Sequence, residues 1–186
     1  MSDLHLWAST RYNFGFIKGL LKDNPIIEKG KIKRLIIHRR KPINSGLFFN
    51  VHQTYLVKKK TQKIHIIILD DLDFTLGCSE TLAIKIFKNI VASAKSNQKI
   101  FIVCIDFASR IEFANDDNAI DRISEFKKHL EQLSDEESDF FCYFDHEDQL
   151  DCSAYLDSNP LSEEDNMSAI HLIVDDIEDI FEEDRY

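Results

Sequence analysis

The chain has 186 residues, 44% of them hydrophobic and 11% aromatic, which is enough apolar material for one domain with a sizeable core and excludes a wholly disordered chain. Five Gly and three Pro exclude a fibrous or low-complexity sequence, and no apolar run reaches the roughly 18 residues of a membrane-spanning helix. The formal net charge of −10 hides a split: residues 1–69 carry 14 Lys and Arg against Asp3, Asp23 and Glu28, while residues 70–186 carry 9 against 30 acids, so the two parts balance at +11 and −21. Such asymmetry implies an anionic ligand or surface near the first part, or a basic part that packs beside the acidic part and neutralises it.

In chain order, the first sixteen residues lack a basic stretch followed by an apolar one, so no secretory signal is expected. Phe14–Lys22 (FGFIKGLLK) has helix-like apolar spacing. Residues 31–40 (KIKRLIIHRR) read as a strand, PINSG as a turn, and 47–57 (LFFNVHQTYLV) as a second strand, so the segment suggests a β-hairpin. Residues 64–69 (IHIIIL) form a nearly continuous apolar run that suits a strand buried on both faces. From there strands and helices alternate. A helix is expected over 79–94 with Ser79 as N-cap and Leu82, Ile86 and Ile90 four apart; a strand over 99–105; a helix over 118–133; a strand over 139–144; and loop or helix over 153–168. A fourth buried strand is expected over 169–174 (AIHLIV), with a short terminal helix over 177–183. The pattern predicts a parallel α/β sheet covered on both faces. The four cysteines show no C-x-x-C spacing and read as reduced structural thiols, consistent with a cytoplasmic protein.

Directly after the run 64–69 comes Asp71–Glu80, DLDFTLGCSE. This segment resembles the first motif of the haloacid dehalogenase (HAD) superfamily, an apolar strand followed by D-x-D-x-T-[L/V] and often S-E. Asp71, Asp73, Thr75, Leu76 and the Ser79-Glu80 pair match; Phe74 stands where a Gly is common. Ile170–Asp179, IHLIVDDIED, resembles the fourth motif, with Asp175 and Asp176 on its acidic pair. The resemblance covers residues 63–186. It implies a HAD-like, Rossmann-like three-layer sandwich with little or no cap, preceded by a basic extension over 1–62 made of a helix and a strand pair. In that fold the first and fourth buried strands are neighbours.

The resemblance also implies an activity: a Mg²⁺-dependent phosphatase working through an aspartyl-phosphate. Asp71 would be nucleophile and metal ligand, Asp73 acid/base with its carbonyl on the metal, and Asp175 or Asp176 would complete the Mg²⁺ site. Thr75 would support the substrate loop. Clustered carboxylates at the carboxyl ends of parallel strands repel one another unless a cation neutralises them, and that supports the same picture. Two motifs depart from the family. Where a Ser or Thr closes the next strand this chain has Cys104 or Asp106, with Ser109 the nearest hydroxyl. No Lys or Arg lies between Lys128 and Arg185; Lys127 and Lys128 could serve as the phosphate-neutralising cation only with unusual geometry, so it would come from Arg110 or from Arg39, Arg40 or Lys41, or catalysis would be impaired. An open site favours a phosphorylated macromolecule such as a phosphoprotein, and residues 29–63 offer a contact for an anionic membrane or partner; nucleic acid is not an expected partner. A second reading keeps the sheet without catalysis, as an acidic inhibitor or immunity-type protein that covers a basic active site. His65 and His171 read as core histidines, and His146 in DHED as part of a solvated turn.

Overall fold

The computed structural model describes residues 2–22, 32–55, 62–75, 77–108, 117–147, 149–150 and 161–182. In chain order the elements are β1 (Ser2–Ala8), α1 (Phe14–Lys22), β2 (Ile32–Arg39), α2 (Ser45–Tyr55), β3 (Gln62–Leu69), the short α3 (Asp71–Thr75), α4 (Glu80–Asn97), β4 (Ile100–Asp106), α5 (Asp117–Glu136), β5 (Phe141–Asp145) and α6 (Glu163–Glu182). The described strands form one sheet in the order β2-β1-β3-β4-β5, and every neighbouring pair is parallel.

This topology follows from the handedness of crossovers. The path from β1 to β2 moves one way along the sheet; the steps β2 to β3, β3 to β4 and β4 to β5 move the other way. Right-handed connections therefore put α1 on one face and α2, α4 and α5 on the opposite face. The α6 helix returns to the face of α1. Two cores result. Leu4, Leu6, Ile66, Val103 and Phe107 pack with Ile17 of α1 and Ile173 and Ile177 of α6. Trp7, Ile67 and Ile102 pack on the other side with Val51, Phe87 and Phe126. Alternation of the two sets along β3 and β4 is the signature of strands buried on both faces.

The parallel α/β architecture expected from the sequence is present. Three elements differ. Residues 2–8 are a strand, and β1 is interior to the sheet, paired with β2 on one side and with β3 on the other. The expected β-hairpin does not form, because residues 45–55 are helical: Leu47 and Val51 lie four apart and bury one face, while Phe49 is 58% exposed. Residues 169–174 lie inside α6, so the neighbouring first and fourth strands that the HAD resemblance implies are not found. The buried residues Ala169, Ile170, Ile173, Val174, Ile177 and Ile180 continue at three- and four-residue spacing across the whole run, which is a helical stripe.

Among the described residues no helix is long and apolar enough to cross a membrane. The expected features over 153–160 and 58–60 lie outside the described residues. Because β1 is central, Leu6→Ala should destabilise the chain by about 2–5 kcal/mol. The exposed Phe49→Ala should stay within about 0.5 kcal/mol of the parent. Urea unfolding of both variants checks the pair, and a mild Leu6→Ala would be incompatible with an interior β1.

Candidate active site

In an open parallel sheet, ligands bind outside the carboxyl ends of the strands, where the strand order reverses. Here that point lies between β1 and β3. All five strand ends deliver polar groups to this edge: Ser9 and Arg11 after β1, Arg40 after β2, Asp70, Asp71 and Asp73 after β3, Asp106 closing β4, and Asp145 and His146 at the end of β5.

Ser9 and Asp70 face each other across the reversal, and the Ser9 hydroxyl donates to Asp70 Oδ2. The Arg11 backbone N–H lies 3.3 Å from Ser9 Oγ. Asp70 also caps the short helix α3, its Oδ1 accepting from the Leu72 N–H at 3.1 Å. Burial, and then the charge of Asp73, push the Asp70 carboxyl up to about 6, against the opposing pull of Arg40, the Ser9 hydrogen bond and Arg11.

Two buried ion pairs flank this contact. Arg11 donates to Asp71 Oδ2 at 2.5 Å. Arg40 grips Asp73 with both terminal nitrogens, at 2.6 and 2.5 Å, and also donates to the Ile68 carbonyl. The Asp73 carboxylate further accepts the N–H groups of Ile43 at 2.8 Å and Asp70 at 3.0 Å. Burial alone would lower the Arg40 pKa, but Asp73 outweighs it and the guanidinium is held charged. Beyond α3 the chain turns so tightly that a Cβ on Gly77 would stand 1.8 Å from the Asp73 carbonyl oxygen, so only glycine fits there. A cleft of about 410 Å³ opens beside Asp73, lined by Ile43, Phe74, Gly77, Cys78 and Arg122 among others.

A second polar group closes the β4–β5 end. Asp106 accepts from the Tyr143 hydroxyl at 3.0 Å and the Ala108 N–H at 2.8 Å, with the buried Lys127 ammonium 3.7 Å away. Lys127 also meets Glu147 at 2.7 Å and Asp145 at 3.2 Å. Burial raises Asp106 to about 6 despite Lys127. His146 is no solvated turn residue: its Nε2 lies 2.9 Å from Asp176 on α6, its ring stacks on Phe107, and the Asp176 hydrogen bond raises its pKa. Neighbouring strands stand about 4.8 Å apart, so three strand spacings, roughly 14 Å, separate the β5 end from the β1 end that carries Ser9. The group that touches Ser9 is therefore Asp70.

The site residues expected from the sequence are not gathered as expected. Asp71 and Asp73 are neighbours in α3, but Arg11 and Arg40 hold their carboxylates. Asp175 and Asp176 sit in the middle of α6 rather than at a strand end, and Asp176 pairs with His146. Among the described residues no group of three or more His, Cys, Asp or Glu is placed to hold a metal ion, so the expected Mg²⁺ set is not assembled. Ser109, Arg110 and the side chain of Thr75 lie outside the described residues. Ser9 and Arg11 were not singled out by sequence reasoning as site residues, and Lys127 entered it only as a phosphate-neutralising cation that would need unusual geometry. The sequence signal for a strand that delivers Ser9 is the alternating Leu4, Leu6 and Ala8, ending in a hydroxyl.

No family model and no curated protein matches the chain. Its structure is similar to that of a member of the lipolytic protein G-D-S-L family from Veillonella parvula, with a TM-score of 0.66 and 10% identity, over 94% of this chain and 97% of that one. At that identity the two share a fold. The likeness covers nearly the whole chain, and it overturns the HAD assignment and with it the aspartyl-phosphate phosphatase. The inhibitor reading finds no support in it either.

Removing one partner of a buried ion pair leaves a bare charge. Arg40→Met should therefore cost about 3–5 kcal/mol, and adding Asp73→Asn should restore part of the loss. Chemical denaturation measures both; a neutral Arg40→Met would contradict the pairing.

The raised carboxyl of Asp106 has a defined sign in stability. The folded chain keeps its proton at pH values where the unfolded chain has lost it, so this group's contribution falls as pH rises from about 4 to about 6. Burial lowers His5 to about 4, and that contribution runs the opposite way. The informative quantity is thus the difference between parent and Asp106→Asn, whose relative stability should rise across that window.

Proposed function

We propose that the chain is a hydrolase of ester bonds, with Ser9 as nucleophile and Asp70 as its base. The observation that carries this reading is the Ser9–Asp70 hydrogen bond across the strand-order reversal. The lipolytic description of the Veillonella parvula protein, whose fold is alike over nearly the whole chain, points the same way.

A serine hydroxyl is a weak nucleophile until a neighbouring base takes its proton. A carboxyl raised to about 6 is ionised at neutral pH, yet is far more basic than an exposed aspartate. Attack of Ser9 Oγ on the ester carbonyl passes its proton to Asp70, and Asp70 returns it to the leaving alcohol. The acyl-serine then breaks down as Asp70 takes a proton from water, the hydroxide attacks the carbonyl, and Asp70 returns that proton to Ser9 Oγ as the C–O bond to the serine breaks and the carboxylic acid leaves. Ser9 is only 1% exposed, so the residues above it must move for an ester to enter.

The test uses p-nitrophenyl butyrate and a fluorophosphonate probe. Hydrolysis should appear and rise with pH through about 6 as Asp70 ionises. Ser9→Ala should abolish both turnover and the mass increase from the probe, and Asp70→Asn should lower turnover on the order of 10²–10⁴-fold. Labelling at another serine, or turnover unchanged in folded Ser9→Ala, would overturn the assignment.

A further inference from the structure

We propose that the free edge of β2, with the groove between β2 and α1, is a docking site for an extended acidic peptide strand of a partner protein. This is independent of the hydrolase reading and rests on a different part of the molecule.

Among the described residues β2 pairs only with β1. Alternate residues along its other side therefore present backbone N–H and C=O groups with no strand to receive them. The strand reads Ile32–Arg39, IKRLIIHR, and Leu35, Ile36, Ile37 and His38 are all half-buried. That is a run of apolar residues left partly open at an edge. Beside it lies a groove of about 530 Å³ whose apolar floor is Phe14, Leu35 and Ile37 and whose rim carries Lys18 and Arg39. Arg39 stands over the Phe14 ring, 5.0 Å from its centre, so a cation and an aromatic face are fixed at one end of the groove.

The charged side chains that line this groove, Lys18 and Arg39, are both basic. Neither α1 nor β2 contains an acidic residue. Lys18, Lys33 and Arg39 are exposed, while Arg34 is engaged by Asp3. The chain as a whole has a net charge of −10, so a local basic edge stands apart from its surroundings. A strand laid along β2 gains main-chain hydrogen bonds, and its alternate side chains fall on the two faces of the sheet. Those on the α1 face meet Phe14, Leu35 and Ile37, and acidic side chains meet Lys18 and Arg39. The fitting ligand is therefore an extended segment in which acidic and apolar residues alternate.

Two other occupants fit less well. A membrane surface offers negative charge but no backbone partner for an open strand, and a flat bilayer does not fill a groove. Among the described residues, most acidic residues of a second copy lie on helices α5 and α6, which cannot extend the sheet. Basic residues on an edge also guard it against self-pairing, and that role alone is the bland explanation.

The experiment titrates the full chain into a fluorescently labelled eight-residue peptide of alternating Glu and Val. It runs in parallel a Lys-Val counterpart, an acidic peptide N-methylated at alternate residues, and vesicles of phosphatidylcholine with phosphatidylserine. The acidic peptide should bind, and binding should weaken with salt. The Lys-Val and N-methylated peptides should each bind about tenfold or more weaker. Lys18→Glu/Arg39→Glu, two exposed changes away from Ser9 and Asp70, should cause a similar loss, and amide exchange along β2 should slow when the acidic peptide is present. Equal binding of the N-methylated peptide would reduce the site to non-specific charge attraction and overturn strand addition. Binding to vesicles without binding to the peptide would assign the edge to lipid. No binding to either would leave the basic residues as guards of the edge, and the proposal would fall.

Discussion

The buried pair of Arg40 and Asp73 joins parts of the chain that are far apart in sequence. Arg40 leaves the end of β2, and its own N–H bonds the Ala8 carbonyl at the end of β1. Its guanidinium reaches the Ile68 carbonyl of β3 and the Asp73 carboxylate in α3. Asp73 in turn fixes Ile43, in the turn before α2, and the Asp70 N–H. One ion pair thus sets the relative heights of β1, β2 and β3 and places Asp70 opposite Ser9. A buried ion pair rarely adds much net stability over a well-packed apolar pair, because desolvation cancels the attraction. Its value here is positional: with the partners fixed, the strand ends have one arrangement.

The same pair explains why acids that resemble a metal motif are arranged otherwise. Three aspartates within four residues would repel if they were left to themselves. A divalent cation is one remedy; two guanidinium groups are another, and this chain brings Arg11 and Arg40 from its basic first part. The split between a +11 part and a −21 part is in this region internal counterbalance. Part of the remaining basic excess, Lys18, Lys33 and Arg39, is exposed on α1 and β2.

Much of the fold was legible in the sequence where one period dominated. The amphipathic α1, α4 and α5 and the apolar β3 and β4 are found within a few residues of their expected places. The failures share a cause. AIHLIV is β-branched and apolar for six residues, so as a short window it suits a strand; only the stripe continuing through Ile177 and Ile180 shows a helix. LFFNVHQTYLV misleads in the same way. SDLHLWA hides β1 because His5 and Trp7 look polar or bulky in sequence, whereas in the fold they join a stack. The His5 ring lies 4.6 Å from His65, Trp7 lies 3.9 Å from His38, and the Trp7 indole N–H donates to His65 at 3.1 Å. At the site, Asp71 and Asp73 were visible because their spacing is local. The partners that decide their chemistry, Arg11 and Arg40, lie some 60 and 33 residues away. No short-range pattern carries that information.

The polar groups at the strand ends also divide by charge balance. At β4 and β5, Lys127 faces Asp106, Asp145 and Glu147, so a single cation serves several carboxyls, and Asp106, though buried, also leans on the Tyr143 hydroxyl. At β1 and β3 each of two aspartates has its own guanidinium, and the third, Asp70, has a hydroxyl instead. Burial, and then the charge of Asp73, outweigh Arg40, the Ser9 hydroxyl and Arg11 and push the Asp70 carboxyl up to about 6. The proton nearest to it belongs to Ser9. Ion pairing of its two neighbours thus leaves Asp70 as the aspartate that meets the Ser9 hydroxyl, and the guanidinium groups that do so come from the segment that sequence reading had set apart from the core.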